Sequence, residues 1–368
     1  MGTTVDPDLA ASFWKYREFL DAGGEATSYR SVPVRRPELW ADGEPVSIEA
    51  GLGRAVPAHV YYGQALQPIV RVSTLHDVLV DPVSFNIYKA EAVEDVVRPG
   101  RLKPPADFLA AVFRKDAWFE RALIGTTRSA DNYYHWLVEC MPRLARLARL
   151  AQEHPGETIS VNRLKMPFHD VHHHFPQLPA RTLPLLRPSF VREALVPSVS
   201  TRFEPDPKLS RHVLPAQDVL LFPQSVVSPG GRTRRLFLSR RDANTRVLHD
   251  EERLCAELTR RGFDCIVMGE LTVAEQARLC SEAEMIVSTH GAGLSNMLFR
   301  SGQPCTVVEV IPLRHWPHRN LACMYNLSML AGFRHVLYDC TYESETTRLL
   351  SQNWSVDIDR FLRCIDSL

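Results

Sequence analysis

From residue 236 onward, short apolar runs alternate with amphipathic stretches at a regular interval. Leu236–Ser239, Cys265–Met268, Met285–Thr289, Thr306–Ile311 and His335–Tyr338 read as buried strands, because brief apolar runs bounded by turn residues fit a sheet covered on both faces. Between them, Glu251–Arg261 sets Leu254, Cys255 and Leu258 on one helical face and closes at Gly262. Thr272-Val-Ala-Glu275 has capping-box spacing and opens a helix that runs through Ala283. A short helix is expected after Gly293, and another around Asn320–Ala331. Strands and helices alternating in this way build a parallel sheet. A Rossmann-like domain is therefore expected over residues 216–345, followed by a C-terminal helix over 346–368.

The N-terminal half is less regular. Pro33, Pro37, Pro45 and Pro57 interrupt the first sixty residues, and only short strands such as Pro68–Val72 are expected there. A clear helical pattern follows over Tyr133–Ala151, then a strand at Ile159–Val161. Proline and loop residues from Pro205 to Gly231 mark the connection between domains. Residues 1–215 are thus expected to form an N-terminal domain, with roughly the first 115 residues unassigned. No internal repeat or low-complexity tract appears.

Composition narrows the classes. A chain of 368 residues exceeds what one core usually serves, so two domains are the default. Lys and Arg total 43, as do Asp and Glu. A net charge of zero gives no bulk attraction to nucleic acid or anionic membrane. The N-terminus lacks a basic stretch followed by an apolar run, and no segment reaches transmembrane length. A cytoplasmic location is expected. The eight cysteines sit singly in apolar or helical patterns with no CxxC pair, as buried free thiols do.

Four segments carry candidate chemistry. In Met285–Phe299 an apolar strand stops at His290-Gly-Ala-Gly293 and feeds into a helix, which points free backbone N–H groups at whatever sits above the strand end. Phosphate suits that place. On a helix, His135, Glu139 and Arg143 fall four apart, either lining a cleft or forming a solvated charge ladder. Arg240, Arg241 and Arg246 follow the first strand of the C-terminal domain, where their forks suit a diphosphate. Glu309 lies in an apolar strand and needs partners. Either it accepts from sugar hydroxyls of a nucleotide or it pairs with an arginine such as Arg240. His169-Asp-Val-His-His-His174 lies between prolines and lacks ligand spacing, so a polar loop is expected rather than a metal site. Gly51-Leu-Gly53 carries almost no information.

Together these segments resemble glycosyltransferase family 61. The resemblance runs from about Asp131 to Ile311, through Asn132-Tyr-Tyr-His-Trp-Leu-Val-Glu139 with Pro142-Arg143, Ser239-Arg-Arg-Asp242 with Arg246, Glu275-Gln276, His290-Gly-Ala-Gly-Leu-Ser-Asn296, and Val308-Glu309. It implies a GT-B architecture, two Rossmann-like domains facing across a cleft, and an inverting transfer from a nucleotide sugar to a hydroxyl of a glycan or other acceptor. No cofactor and no metal are implied, since arginines and helix N-termini offset the leaving diphosphate. Glu139 is the implied general base, with His135 its competitor or orienting partner. Arg240, Arg241, Arg246 and the loop of His290, Gly291, Ala292, Gly293 and Asn296 hold the donor, and Glu309 holds its ribose or base. The absent leader makes a bacterial enzyme of polysaccharide biosynthesis the expectation. Two rivals stand beside it: a nicotinamide-dependent oxidoreductase, which also places a glycine turn after a strand but needs a small residue where Asn296 stands, and an inactive carbohydrate-binding protein.

Overall fold

A computed structural model describes residues 13–16, 29–52, 64–68, 70, 72–81, 87–90, 118–125, 130–153, 159–161, 166–170, 182–197, 214–227, 233–315, 321–342 and 351–368. The chain is α/β and divides into two compact units, one of Met1–Ser28 with Ile69–Ser200, the other of Tyr29–Pro68 with Thr201–Leu368. This division differs from a single break near 215. Residues 29–68 belong with the C-terminal half because Glu38–Ala41 joins its sheet.

The core of the C-terminal unit is five parallel strands: β1 (Arg234–Ser239), β2 (Phe263–Val267), β3 (Ala283–Thr289), β4 (Thr306–Val310) and β5 (Arg334–Tyr338). Their order is β2-β1-β3-β4-β5, extended by Glu38–Ala41 parallel to β5 and by Glu44–Val46 antiparallel to that. This is the flavodoxin-like doubly wound order, in which the chain reverses direction across the sheet between β1 and β3. Ligands of such sheets sit at the carboxyl ends of those two strands.

The apolar runs close this core as expected. Val287, Val308 and Val336 on the strands, Leu254 and Leu258 on helix Glu251–Arg260, and Phe361 and Ile365 on helix Ile358–Ser367 are all fully buried. Each such side chain contributes about 1.5–3 kcal/mol. Gly262 ends its helix with φ of 80°, a left-handed position that favours glycine. Helix Val273–Ser281 begins on the expected capping box: Thr272 Oγ1 accepts from Glu275 N at 3.3 Å, and Glu275 Oε2 accepts from Thr272 N at 2.8 Å.

One element differs in kind. Residues Ala292–Arg300 form a 3-10 helix, since Ser295 Oγ donates to Ala292 O (2.6 Å) and Asn296 Nδ2 to Gly293 O (2.9 Å), side-chain bonds that reach back three residues and suit the tighter turn.

The N-terminal unit holds a mixed sheet. Trp118–Ile124 pairs parallel with Ser189–Pro197 and Ile159–Val161, and Ile159–Val161 with Thr182–Pro184. Val72–Val80 and Ile87–Ala90 add antiparallel pairings. The strand expected over Pro68–Val72 is the end of one strand, Gln64–Pro68, and the start of another, Val72–Val80, in different units. The helical pattern from Tyr133 is continuous through Glu153, as Tyr133–His135, a π-helical turn Trp136–Cys140, and Met141–Glu153. Among the described residues no helix is long and apolar enough to cross a membrane.

Removing the cap by Thr272→Ala should lower unfolding stability by about 1 kcal/mol. Urea titration checks this, and an unchanged midpoint overturns the energetic role given to the capping box.

Candidate functional site

The carboxyl ends of β1 and β3 bring two arginines against the glycine turn. Arg240 follows β1, and its guanidinium lies so close to Gly291 that a Cβ there would stand 1.8 Å from Nη1. Gly291 is extended, so close approach rather than backbone strain requires glycine. Arg246 has φ of 59°, an uncommon conformation for a side-chain-bearing residue. It is held there on three sides: its N–H donates to Gln352 O (2.7 Å), its carbonyl accepts from Thr289 Oγ1 (3.1 Å), and Nη1 donates to His290 O (2.9 Å). The C-terminal segment braces the same loop, with Trp354 fully buried and its main chain bonded to Val247 and His249.

Both guanidiniums are half-buried, and each has a buried Nε without a hydrogen-bond partner. Among the described residues neither has a carboxylate within 4.0 Å. Burial lowers the Arg240 pKa; burial and then the neighbouring Arg240 charge lower that of Arg246 to about 10. Two desolvated cations in each other's field favour an anion beside them. The 3-10 helix adds donors: Leu294 N bonds Gly291 O, so the amides of Ala292 and Gly293 precede its first internal bond. Arg241 is exposed, its amide bonded to Ser239 Oγ (3.2 Å). Ser239 Oγ in turn donates to Glu251.

Other expected site residues form the scaffold. Asn296 is fully buried, donating to Gln276 Oε1 (3.1 Å), and Gln276 donates to the carbonyls of Met268 (2.9 Å) and Leu271 (3.1 Å). The Gln276–Asn296 pair thus ties the loop after β2 to the glycine turn. Glu309 finds its partners at the neighbouring strands. It is 0% exposed, with His290 Nδ1 at 2.5 Å from one oxygen and His335 Nε2 at 3.0 Å from the other. Each oxygen meets a histidine, and Arg240 is not among the partners. His335 Nδ1 lies 2.7 Å from Ser328 Oγ. Burial raises the Glu309 carboxyl, but the two histidines outweigh it and hold it below the usual range. Burial lowers His290, yet the Cys323 sulfur and Glu309 outweigh it and raise the imidazole to about 9. Sequence reasoning did not find Cys323, His335 or Gln352, which reach the site from far along the chain.

In the N-terminal unit, His135 Nδ1 lies 3.1 Å from Glu139 Oε1. Glu139 and Arg143 are both 5% exposed, so the spacing is not a solvated ladder. His135 is the more open partner. The turn that carries Glu139 is π-helical, a local irregularity common at functional sites. It starts on Asn132, whose Oδ1 accepts from Tyr134 N (2.9 Å), and the rings of Tyr133, Trp136 and Phe168 pack together beside it. His169 serves the same packing. Its Nδ1 accepts from Met166 N (3.3 Å) and its Nε2 donates to Ala130 O (2.9 Å), leaving no ring nitrogen for a metal. His172, His173, His174 and Gly53 lie outside the described residues. Among the described residues no group of three His, Cys, Asp or Glu side chains is placed to hold a metal ion.

His290 binds its proton more tightly when folded (about 9) than at its ordinary value of 6.5. Between those values the folded chain holds the extra proton, so this contribution is complete below 6.5 and is lost as pH rises through about 9. Melting temperature should fall across that window and fall less steeply in His290→Gln. Equal slopes in the two proteins overturn the assignment.

The Glycosyltransferase 61 family model matches residues 133–308. A protein of Oryza sativa subsp. japonica described as a beta-1,2-xylosyltransferase, XAX1, is 31% identical over 130 residues, 35% of this chain and 22% of the relative. The chain therefore spans about a fifth of the length of that curated relative. The matched segment holds His135, Glu139 and the whole run from Arg240 to the glycine turn. Residues 133–308 are thus similar to the family that the sequence resemblance names.

Proposed function

We propose that the chain is a glycosyltransferase that moves a sugar from a nucleotide-sugar donor to a hydroxyl of a glycan or similar acceptor. The carrying observation is the Arg240–Arg246 pair, two half-buried guanidiniums with unpartnered Nε atoms at the switch point of a doubly wound sheet. The family segment and the xylosyltransferase relative supply the reaction class. The β2-β1-β3 order also lacks the β3-β2-β1 half of the dinucleotide fold, which disfavours the nicotinamide reading.

In this reading the fold is of the GT-B type, and transfer is one in-line displacement with inversion. The acceptor O–H gives its proton to Glu139 as its oxygen bonds the anomeric carbon, while the bond from that carbon to the diphosphate oxygen breaks. His135 orients Glu139. Arg240, Arg246 and the amides of Ala292 and Gly293 stabilise the charge on the departing diphosphate, so no metal is required. Glu309 acts through His290, positioning the turn. A cytoplasmic place in polysaccharide biosynthesis belongs to the same proposal.

Calorimetry with UDP, GDP and NAD tests the donor half. A nucleoside diphosphate should bind more tightly than NAD, and Arg240→Ala and Arg246→Ala should each weaken it by about 1.5–3 kcal/mol. Saturable NAD binding without a response to either diphosphate ends the proposal. The chemical half rests on Glu139→Gln, expected to keep donor affinity and lower turnover about 10²–10⁴-fold. Unchanged turnover in a folded Glu139→Gln protein removes Glu139 as the base.

A further inference from the structure

Cys255 lies on helix Glu251–Arg260, and Cys265 lies in the middle of β2, the edge strand into which that helix leads. The turn at Gly262 folds the strand back along the helix, so two cysteines that form no sequence motif meet. Cys265 Sγ stands 3.5 Å from the Cys255 carbonyl oxygen and 3.8 Å from Thr259 Oγ1. Residues 255 and 259 are one turn apart, so the sulfur rests on the ridge they share. A residue's carbonyl and its side chain leave the same Cα, which puts the Cys255 thiol within a rotamer change of that sulfur. Both thiols are partly exposed, whereas Cys140, Cys280, Cys305, Cys340 and Cys364 are buried. The hydrogen bond from Cys255 lowers Cys265 to about 7, against burial and with help from Thr259 and the Arg241 charge. The same contact, with burial, pushes Cys255 upward. A thiol that ionises readily, beside one that holds its proton, is the pairing that redox-sensitive sites use.

We propose that Cys255 and Cys265 are a reversible redox modification site that takes small disulfides, with Cys265 as the attacking sulfur and Cys255 as the resolving one. The Cys265 thiolate attacks one sulfur of glutathione disulfide; a new S–S bond forms to the protein, the old one breaks, and a glutathione thiolate leaves. Cys255 then attacks the Cys265 sulfur, the mixed disulfide breaks, and the second glutathione departs with the Cys255 proton. Two protein thiols are oxidised while one disulfide is reduced to two thiols. The bridge fastens the helix to the edge strand one turn from Glu251, whose carboxylate accepts from Ser239 Oγ at the end of β1. None of this depends on the proposed sugar transfer.

The test equilibrates the full chain at pH 7 with mixtures of reduced and oxidised glutathione and reads tryptic peptides by mass spectrometry. Cleavage after Arg253, Arg260 and Arg261 puts the two cysteines on separate peptides, so the bridge appears as a cross-linked pair. It should form in the folded chain under conditions at least about tenfold less oxidising than in the urea-unfolded chain, because thiols held together close at a higher effective concentration. Bridging no easier in the folded chain overturns the proposal. In Cys255→Ser, Cys265 should keep one glutathione, since the resolving thiol is gone; in Cys265→Ser, the same exposure should leave Cys255 largely unmodified. Glutathione on Cys255 rather than Cys265 overturns the assigned roles, and glutathione on Cys323 with neither of the pair modified overturns the site. Where a variant fails to fold, the comparison of folded and unfolded parent decides.

Discussion

The layout of the C-terminal unit turns on one buried charge. Glu309 sits in the middle of β4 with no exposure to solvent, and a lone carboxylate so placed costs several kcal/mol. His290 on the β3 side and His335 on the β5 side meet that demand. Each partner constrains more than itself. His335 reaches Glu309 only while β5 keeps its register with β4, and His290 only while β3 ends where it does. The glycine turn starts at the next residue, so the same pair fixes where its amides and Arg246, which bonds the His290 carbonyl, must lie.

A second device opposes the first in sign. Arg240 and Arg246 carry like charges in a desolvated place, and Arg246 holds a left-handed backbone that costs about 1–3 kcal/mol. Such strain persists only where neighbours over-determine it. Gln352, Thr289 and the His290 carbonyl do so here, and the Gln276–Asn296 pair stiffens the facing turn. Dipoles and charges fixed before a ligand arrives need no reorganisation when charge develops, which makes rigid support worth its energetic cost in a catalytic site.

What the sequence shows directly follows from local physics. The C-terminal strands, the Thr272 cap and the Gly262 stop are each written in a few consecutive residues and stand within a residue or two of their expected places, whereas the last helix, expected from residue 346, begins only at Ile358, after the strand Trp354–Ser355. Four-residue spacing likewise puts His135, Glu139 and Arg143 on one face. Spacing does not say what that face meets, so the solvated ladder and the buried cluster are alike until packing decides. Glu309 is the sharper case. Its need for partners is legible, but choosing His290 and His335 over Arg240 takes strand order and register, which no local pattern encodes. Glu38–Ala41 pairing with β5, Gln352 bracing Arg246 and Cys323 meeting His290 are longer-range still.

One rule links the two charged centres. A charge removed from water requires an opposite charge or enough hydrogen bonds in its place. At Glu309 the chain supplies both from its own strands, and the result is a fixed structural node. At Arg240 and Arg246 the chain supplies part of the answer, carbonyls for some N–H groups and, among the described residues, no carboxylate, which is what the proposed diphosphate would complete. In the proposed site, binding would draw on that unsatisfied desolvation. A diphosphate, with its charge spread over several oxygens, suits two guanidinium forks and a run of amides better than a single carboxylate does. The same carboxylate that stabilises the sheet thus also positions the turn on which the proposed recognition depends.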